Sequence, residues 1–205
     1  MKILKIVTAV IFPVFMFSAC SESEAPKEIE ENDNEISGLE DISFDDVDMS
    51  AGLADNLMLC MSVHNEVNPI ELPHEEKINF DNYDPYYPLT GEEILAFSLD
   101  TLGIDSSTFV NLDYWVDLSP DFSTYVFNVE LTEHEMATYM VTYFGDYTFI
   151  DSKMIGYDEI AESAHRIESK IEKEKITIND ITTWEERVVV TSVYFIDENG
   201  NFQEK

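Results

Sequence analysis

Two neighbouring stretches of near-regular apolar and polar alternation constrain this chain more than anything else in it. In 110–118, Leu112, Tyr114, Val116 and Leu118 alternate with Asn111, Asp113, Trp115 and Asp117. In 122–131, Tyr125, Phe127, Val129 and Leu131 alternate with Thr124, Val126, Asn128 and Glu130. A period of two places successive side chains on opposite faces of a strand, so both stretches read as strands with one buried face. One antiparallel register brings both apolar sets to the same face: Leu112 opposite Val129, Tyr114 opposite Phe127 and Val116 opposite Tyr125. A slip of one residue would turn one set outward. This register leaves Ser119-Pro120-Asp121-Phe122 as the loop, with Pro120 where a type I turn wants its fixed φ.

Further strands are expected near 147–152, 176–183 and 187–196, with Asn199-Gly200 as a tight hairpin turn. Helical spacing competes elsewhere. Met49–His64 is apolar on several sides and reads as a helix. Thr90 and Glu93 form a capping-box pattern opening a helix that ends near Gly103. Thr132 and Glu135 repeat the pattern, and Met136, Tyr139, Met140, Tyr143 and Phe144 follow at helical spacing up to Gly145. Ile160, Ala164, Ile167 and Ile171 form a stripe over 158–175, with Glu162 and Arg166 as an i,i+4 pair. Between 65 and 89, Pro69, Pro73, Pro85 and Pro88 exclude long regular elements. The aromatic, acidic run Asn79–Tyr87 lies there. The expected fold is therefore α+β: an antiparallel sheet with three or four helices packed mainly on one face, in a single domain over 49–205.

Charge limits the partners. The chain carries 43 acidic and 11 basic side chains, a net charge of −32. Between Lys27 and Lys153 the only base is Lys77. Such a field repels phosphate backbones, which argues against nucleic acid as a partner and favours a basic protein or peptide; a glycan is the further candidate raised by the Trp115 constellation below. Residues 20–48 hold twelve acidic groups with Lys27 as the sole base, a composition that cannot bury enough surface to offset its ordering entropy. They read as a disordered tether.

Ahead of that tether, Met1-Lys2-Ile3-Leu4-Lys5 is a short basic start. An apolar run follows from Ile6 to Phe17, and Phe17-Ser18-Ala19-Cys20 closes it. The run is too short to span a bilayer of about 30 Å as a helix, and Pro13 interrupts it. The layout resembles a bacterial lipoprotein signal peptide. The resemblance covers residues 1–20 only. It implies removal of residues 1–19, a diacylglyceryl group on the Cys20 sulfur, attachment to the membrane through acyl chains such as palmitate, and an address on the extracytoplasmic side of a bacterial cell envelope. The mature chain would carry nine basic side chains against 43 acidic ones, a net charge of −34. With Cys20 acylated, Cys60 has no partner within the chain and reads as a buried structural thiol in an apolar run.

The motifs of catalysis are missing. His134-Glu135-Met136-Ala137 begins a zinc-protease signature, but Thr138 stands where the second imidazole belongs, and His74-Glu75-Glu76-Lys77 leads to Ile78. His64 and His165 have no His or Cys at ligand spacing. No nucleophile elbow, SxxK, P-loop or GxGxxG occurs. No catalytic residue, metal ligand or cofactor is therefore assigned. The best constellation lies on the polar face of the hairpin, where Trp115 sits between Asp113 and Asp117 with Asn128 opposite. A Trp flanked by carboxylates can stack on a sugar ring or a cation while the acids accept hydrogen bonds. The expected function is a non-catalytic binding or structural domain on a lipid anchor. Its rivals are a small extracytoplasmic hydrolase working through carboxylates and a solute-binding component of a transporter.

Overall fold

The computed structural model of this chain describes residues 49–160 and 164–205. The signal peptide, Cys20 and the tether lie outside the described residues. From Met49 the order is α1 (Met49–Glu66), β1 (His74–Glu76), a 3-10 turn (Phe80–Asn82), β2 (Tyr87–Pro88), α2 (Gly91–Ala96), a 3-10 turn (Leu99–Leu102) and β3 (Val110–Val116). The remainder is strand: β4 (Ser123–Thr132), β5 (Glu135–Tyr143), β6 (Phe149–Glu159), β7 (His165–Glu172), β8 (Lys175–Thr182), β9 (Val188–Ile196) and β10 (Phe202–Glu204). Strands β2 to β10 lie side by side in sequence order, every pairing antiparallel, and β1 pairs with β7.

This corrects the α+β expectation. Two α-helices form among the described residues, and where helices were expected over 132–145 and 158–175 the described residues form β5, the end of β6 and β7 instead. Met136 and Met140 lie four apart, so they fit a helix stripe, but they fit alternation equally well. In β5 nearly every residue is buried on one face or the other, so no polar face marks the period. The capping-box residues Thr132 and Glu135 instead close the β4–β5 turn, with Thr132 Oγ1 donating to Glu135 Oε2 at 3.1 Å. In the other segment, Ile167 and Ile171 share a face of β7 with Ser169 between them. The Thr90–Glu93 capping box is real, but the helix stops at Ala96 because Ser98 turns left-handed at φ 52°.

Burial on both faces follows from how the sheet folds. One face of β3, β4 and β5 packs against the helices: Leu112, Tyr125, Phe127, Val129, Val141 and Tyr143 meet Cys60, Val63 and Val67 of α1 and Phe97 beside α2. The opposite face carries Tyr114, Val126, Met140 and Ile155, and these meet Ile171, Ile176 and Ile178 of β7 and β8. The sheet therefore bends over itself. Strands β6 and β7 touch at Tyr157 and Ile167 and then part, and β1 fills the gap by pairing with residues 169–171. Three polar links hold the far strands against the middle ones: Thr142 Oγ1 donates to Gly200 O at 2.7 Å, Phe202 N to Asp151 Oδ2 at 2.9 Å and Lys153 Nζ to Tyr194 OH at 2.9 Å.

The register of β3 on β4 also differs from the alternation argument. Val110 pairs with Val129 and Leu112 with Phe127, but a β-bulge at Asp113 follows, and beyond it Tyr114 pairs with Val126, Trp115 with Tyr125 and Val116 with Thr124. One extra residue reverses the parity of everything after it. Leu112 and Trp115 thus share the helix-covered face, while Tyr114 and Val116 turn to the other side. The expected shared face of Tyr114 with Phe127 does not exist.

Candidate functional site

The bulge creates the most polar place inside the fold. Asp113 is the inserted residue, and its carboxylate leaves the ladder to accept a hydrogen bond from Asn128 Nδ2 at 3.2 Å. Asn128 Oδ1 accepts in turn from Thr138 Oγ1 at 2.7 Å, across β4 and β5. Asn111, opposite Asn128, accepts from Tyr87 N at 2.6 Å and so holds the short strand β2. From the other side β1 delivers Glu76, which is 5 % exposed and accepts from Tyr114 OH. Gly156 of β6 is needed here: a Cβ on it would stand 2.6 Å from Thr138 Oγ1. The 3-10 turn is tied over the cluster by Phe80 N donating to Asp158 Oδ2 at 3.0 Å, and Tyr83 follows it.

Electrostatically the cluster is one-sided. Burial raises the Asp113 carboxyl above its ordinary value, the neighbouring Glu76 charge adds to the rise, and Asn128 offsets part of it. The only positive influence on Asp113 is His74, whose Nε2 lies 3.6 Å from Glu76 Oε2. Burial likewise pushes the Tyr83 phenol upward, with Asp113 and Glu76 adding to it. Asn111 Nδ2 and Tyr83 OH make no hydrogen bond of good geometry, but they lie close enough to interact, since Asn128 and Asn111 both act on the Tyr83 phenol and oppose its rise.

The four residues singled out by sequence separate. Asp113 and Asn128 come together in this cluster. Trp115 lies on the opposite face, where its Nε1 donates to Val67 O at 3.1 Å and its ring sits 5.0 Å from that of His64. Asp117, past the end of β3, is exposed. The stacking platform of Trp115 between two carboxylates is therefore not formed. Glu76, Asn111, Tyr83, Tyr114 and Thr138 were not singled out. Glu76 sits in a three-residue strand between prolines, and nothing local marks it as the partner of a residue 38 positions away.

Outside the cluster, charge is segregated. Residues 49–160 contain 21 acidic and two basic side chains, whereas 164–205 contain nine acidic and six basic. Among the described residues, the ion pairs made by Lys or Arg are Lys77–Glu75, Arg166–Glu168, Lys170–Glu172 and Lys175–Glu172, all on or beside β1, β7 and β8. Cys60 is free and fully buried, and burial pushes its thiol up to about 12, which keeps it protonated and inert. Among the described residues, no three His, Cys, Asp or Glu side chains are arranged to hold a metal ion, and no helix is long and apolar enough to cross a membrane. No family model, curated protein or solved structure matches the chain.

Proposed function

We propose that this protein is a lipid-anchored envelope protein whose domain binds a basic segment of another protein or peptide. The anchor rests on the resemblance at residues 1–20. The binding reading is carried by one observation: the acids of the helices and of β2–β5 have no Lys or Arg partner among the described residues, while the bases gather on the other half. Unpaired acidic surface repels itself, and a cationic partner relieves that repulsion on binding. The Glu76–Asp113 pair is the place where a cationic head has most to offset, since Glu76 is buried, Asp113 is half-buried and neither meets a Lys or Arg.

The test is a titration of the full chain with an oligolysine peptide at low and at physiological salt. Association weakens as salt rises, because charges are screened over about 8–10 Å near physiological strength. Asp113→Asn weakens it by about thirtyfold or more if the ligand cation reaches the cluster, the scale of losing one member of a desolvated charge pair. Binding that ignores salt, or that Asp113→Asn leaves unchanged, contradicts the proposal.

A further inference from the structure

The second half of the sheet ends on an open edge. Strand β9 pairs with β8 along Val188–Tyr194, but β10 covers only Tyr194–Ile196 on its other side. At the end of β10, Lys205 N donates to Val193 O at 3.0 Å. The backbone groups of Val193 therefore point toward β10, and strand alternation aims the N–H and C=O of Thr191 and Val189 along the same edge. Over 188–192 no described strand receives them. The side chains there are apolar and open on both faces: Val188 is 52 %, Val189 43 % and Val190 59 % exposed. An edge of this kind is a template for another strand, and natural proteins normally blunt it with charge, proline or a cover.

Charge selects the occupant. The half that carries β9 is nearly balanced, with nine acids to six bases, so it lacks the field that would draw a basic partner. It is also the one broad region where two copies of so acidic a chain can meet without placing their acidic halves together. The segment is self-complementary. Antiparallel pairing about a two-fold axis at Val189 sets Val188 against Val190 of the other copy and Arg187 against Thr191. The outward-facing groups of Val189 and Thr191 then find partners.

We infer that the free edge of β9 pairs with β9 of a second copy of this chain about a two-fold axis at Val189, joining the two sheets into one. This surface is distinct from the carboxylate cluster and independent of the ligand proposed for it.

Cysteine substitution in the full chain tests it. Val189→Cys brings the two new thiols together at a directly opposed pair, within the Cα separation a disulfide accepts. Thr191→Cys, also exposed and on the same face, leaves its two thiols about four residues apart, or about 13 Å along the strands. Under mild oxidation Val189→Cys runs as a dimer on a non-reducing gel and Thr191→Cys does not, above the background set by the unsubstituted chain. A second variant, Val189→Pro, deletes an N–H that faces away from β8, so β8–β9 pairing survives while the new edge is blocked. In sedimentation the unsubstituted chain shows a species of twice 23.5 kDa and Val189→Pro only the single mass. Equal crosslinking of the two cysteine variants, no crosslinking of either, or a dimer that survives Val189→Pro overturns the inference.

Discussion

The two tryptophans report on two differently built halves. Trp115, on β3, is half-buried under α1, hydrogen-bonded to Val67 O and in contact with His64. Trp184, between β8 and β9, is 72 % exposed. The same contrast runs through the strands around them. The middle strands are covered by helices on one face and by the folded-over sheet on the other, whereas Val188–Thr191 of β9 are open on both. Charge follows the reverse order, with unpaired acids on the well-packed half and paired bases on the open one. Packing and charge are therefore set independently here: the stable half supplies a rigid acidic surface, and the open half supplies a strand edge.

The comparison breaks most sharply at the core. Tyr143 is fully buried, its OH donates to Phe97 O at 2.8 Å, and its ring lies against Phe97, Tyr125, Tyr147 and Phe149. Tyr143→Ala is expected to cost about 3–5 kcal/mol in chemical denaturation, while Val190→Ala on the open edge stays within about 0.5 kcal/mol in the monomer. Comparable losses at both positions would erase the distinction between the halves.

A smaller effect is expected at the tryptophans. Trp115→Ala should cost about 2–3 kcal/mol, less than a fully buried aromatic because Trp115 is only half-buried, and Trp184→Ala should be close to neutral. Thermal melts decide between this and the reading in which Trp115 stands on a solvent-facing binding surface and its removal is silent.

The smallest effect is a difference in pH slope. The folded state holds the Asp113 carboxyl above its ordinary value of 3.8, so it binds that proton more readily than the unfolded chain does. The stability this group contributes is present in acid and is lost as the pH rises from 3.8 through the raised folded value. Asp113→Asn removes that loss. Urea denaturation across this range should show the variant gaining on the parent chain as the pH rises. A gap that stays constant with pH would mean that Asp113 is not held by its surroundings as described.

What was legible in the sequence follows the same division. Strands β3, β4, β8 and β9, the first helix, the Thr90–Glu93 cap and the turn at Gly200, where φ is +86°, were all readable from local pattern. Strand β5 was not, because burial on both faces removes the polar residues that would expose a period of two, and Met136 with Met140 then imitates a helix; β7 was not, because Ser169 takes the inward position between Ile167 and Ile171, leaving two apolar residues four apart that fit a helix stripe equally well. The bulge at Asp113 was illegible for a different reason. Alternation in 110–118 runs unbroken in sequence, and only the β1 strand, the loop above it and the packing of Trp115 under α1 make an insertion favourable. The site was half visible accordingly: Asp113 and Asn128 share a hairpin, so spacing could join them, while Glu76 and Tyr83 arrive from an irregular stretch with no local signature. Phe122, read as a loop residue, is buried and stands 3.5 Å from the position a Cβ on Gly200 would take.

The basic segment proposed as ligand should bind the well-packed acidic half, at the carboxylate cluster on the bulge. Amide and side-chain NMR shifts of the labelled full chain during titration with an oligolysine peptide test this most directly. The largest changes should fall on Asp113, Asn111 and Asn128 and on the loop 79–87, with Val188–Ser192 of β9 unmoved. Changes centred on β9, or scattered evenly over every exposed acid with the cluster silent, would contradict it.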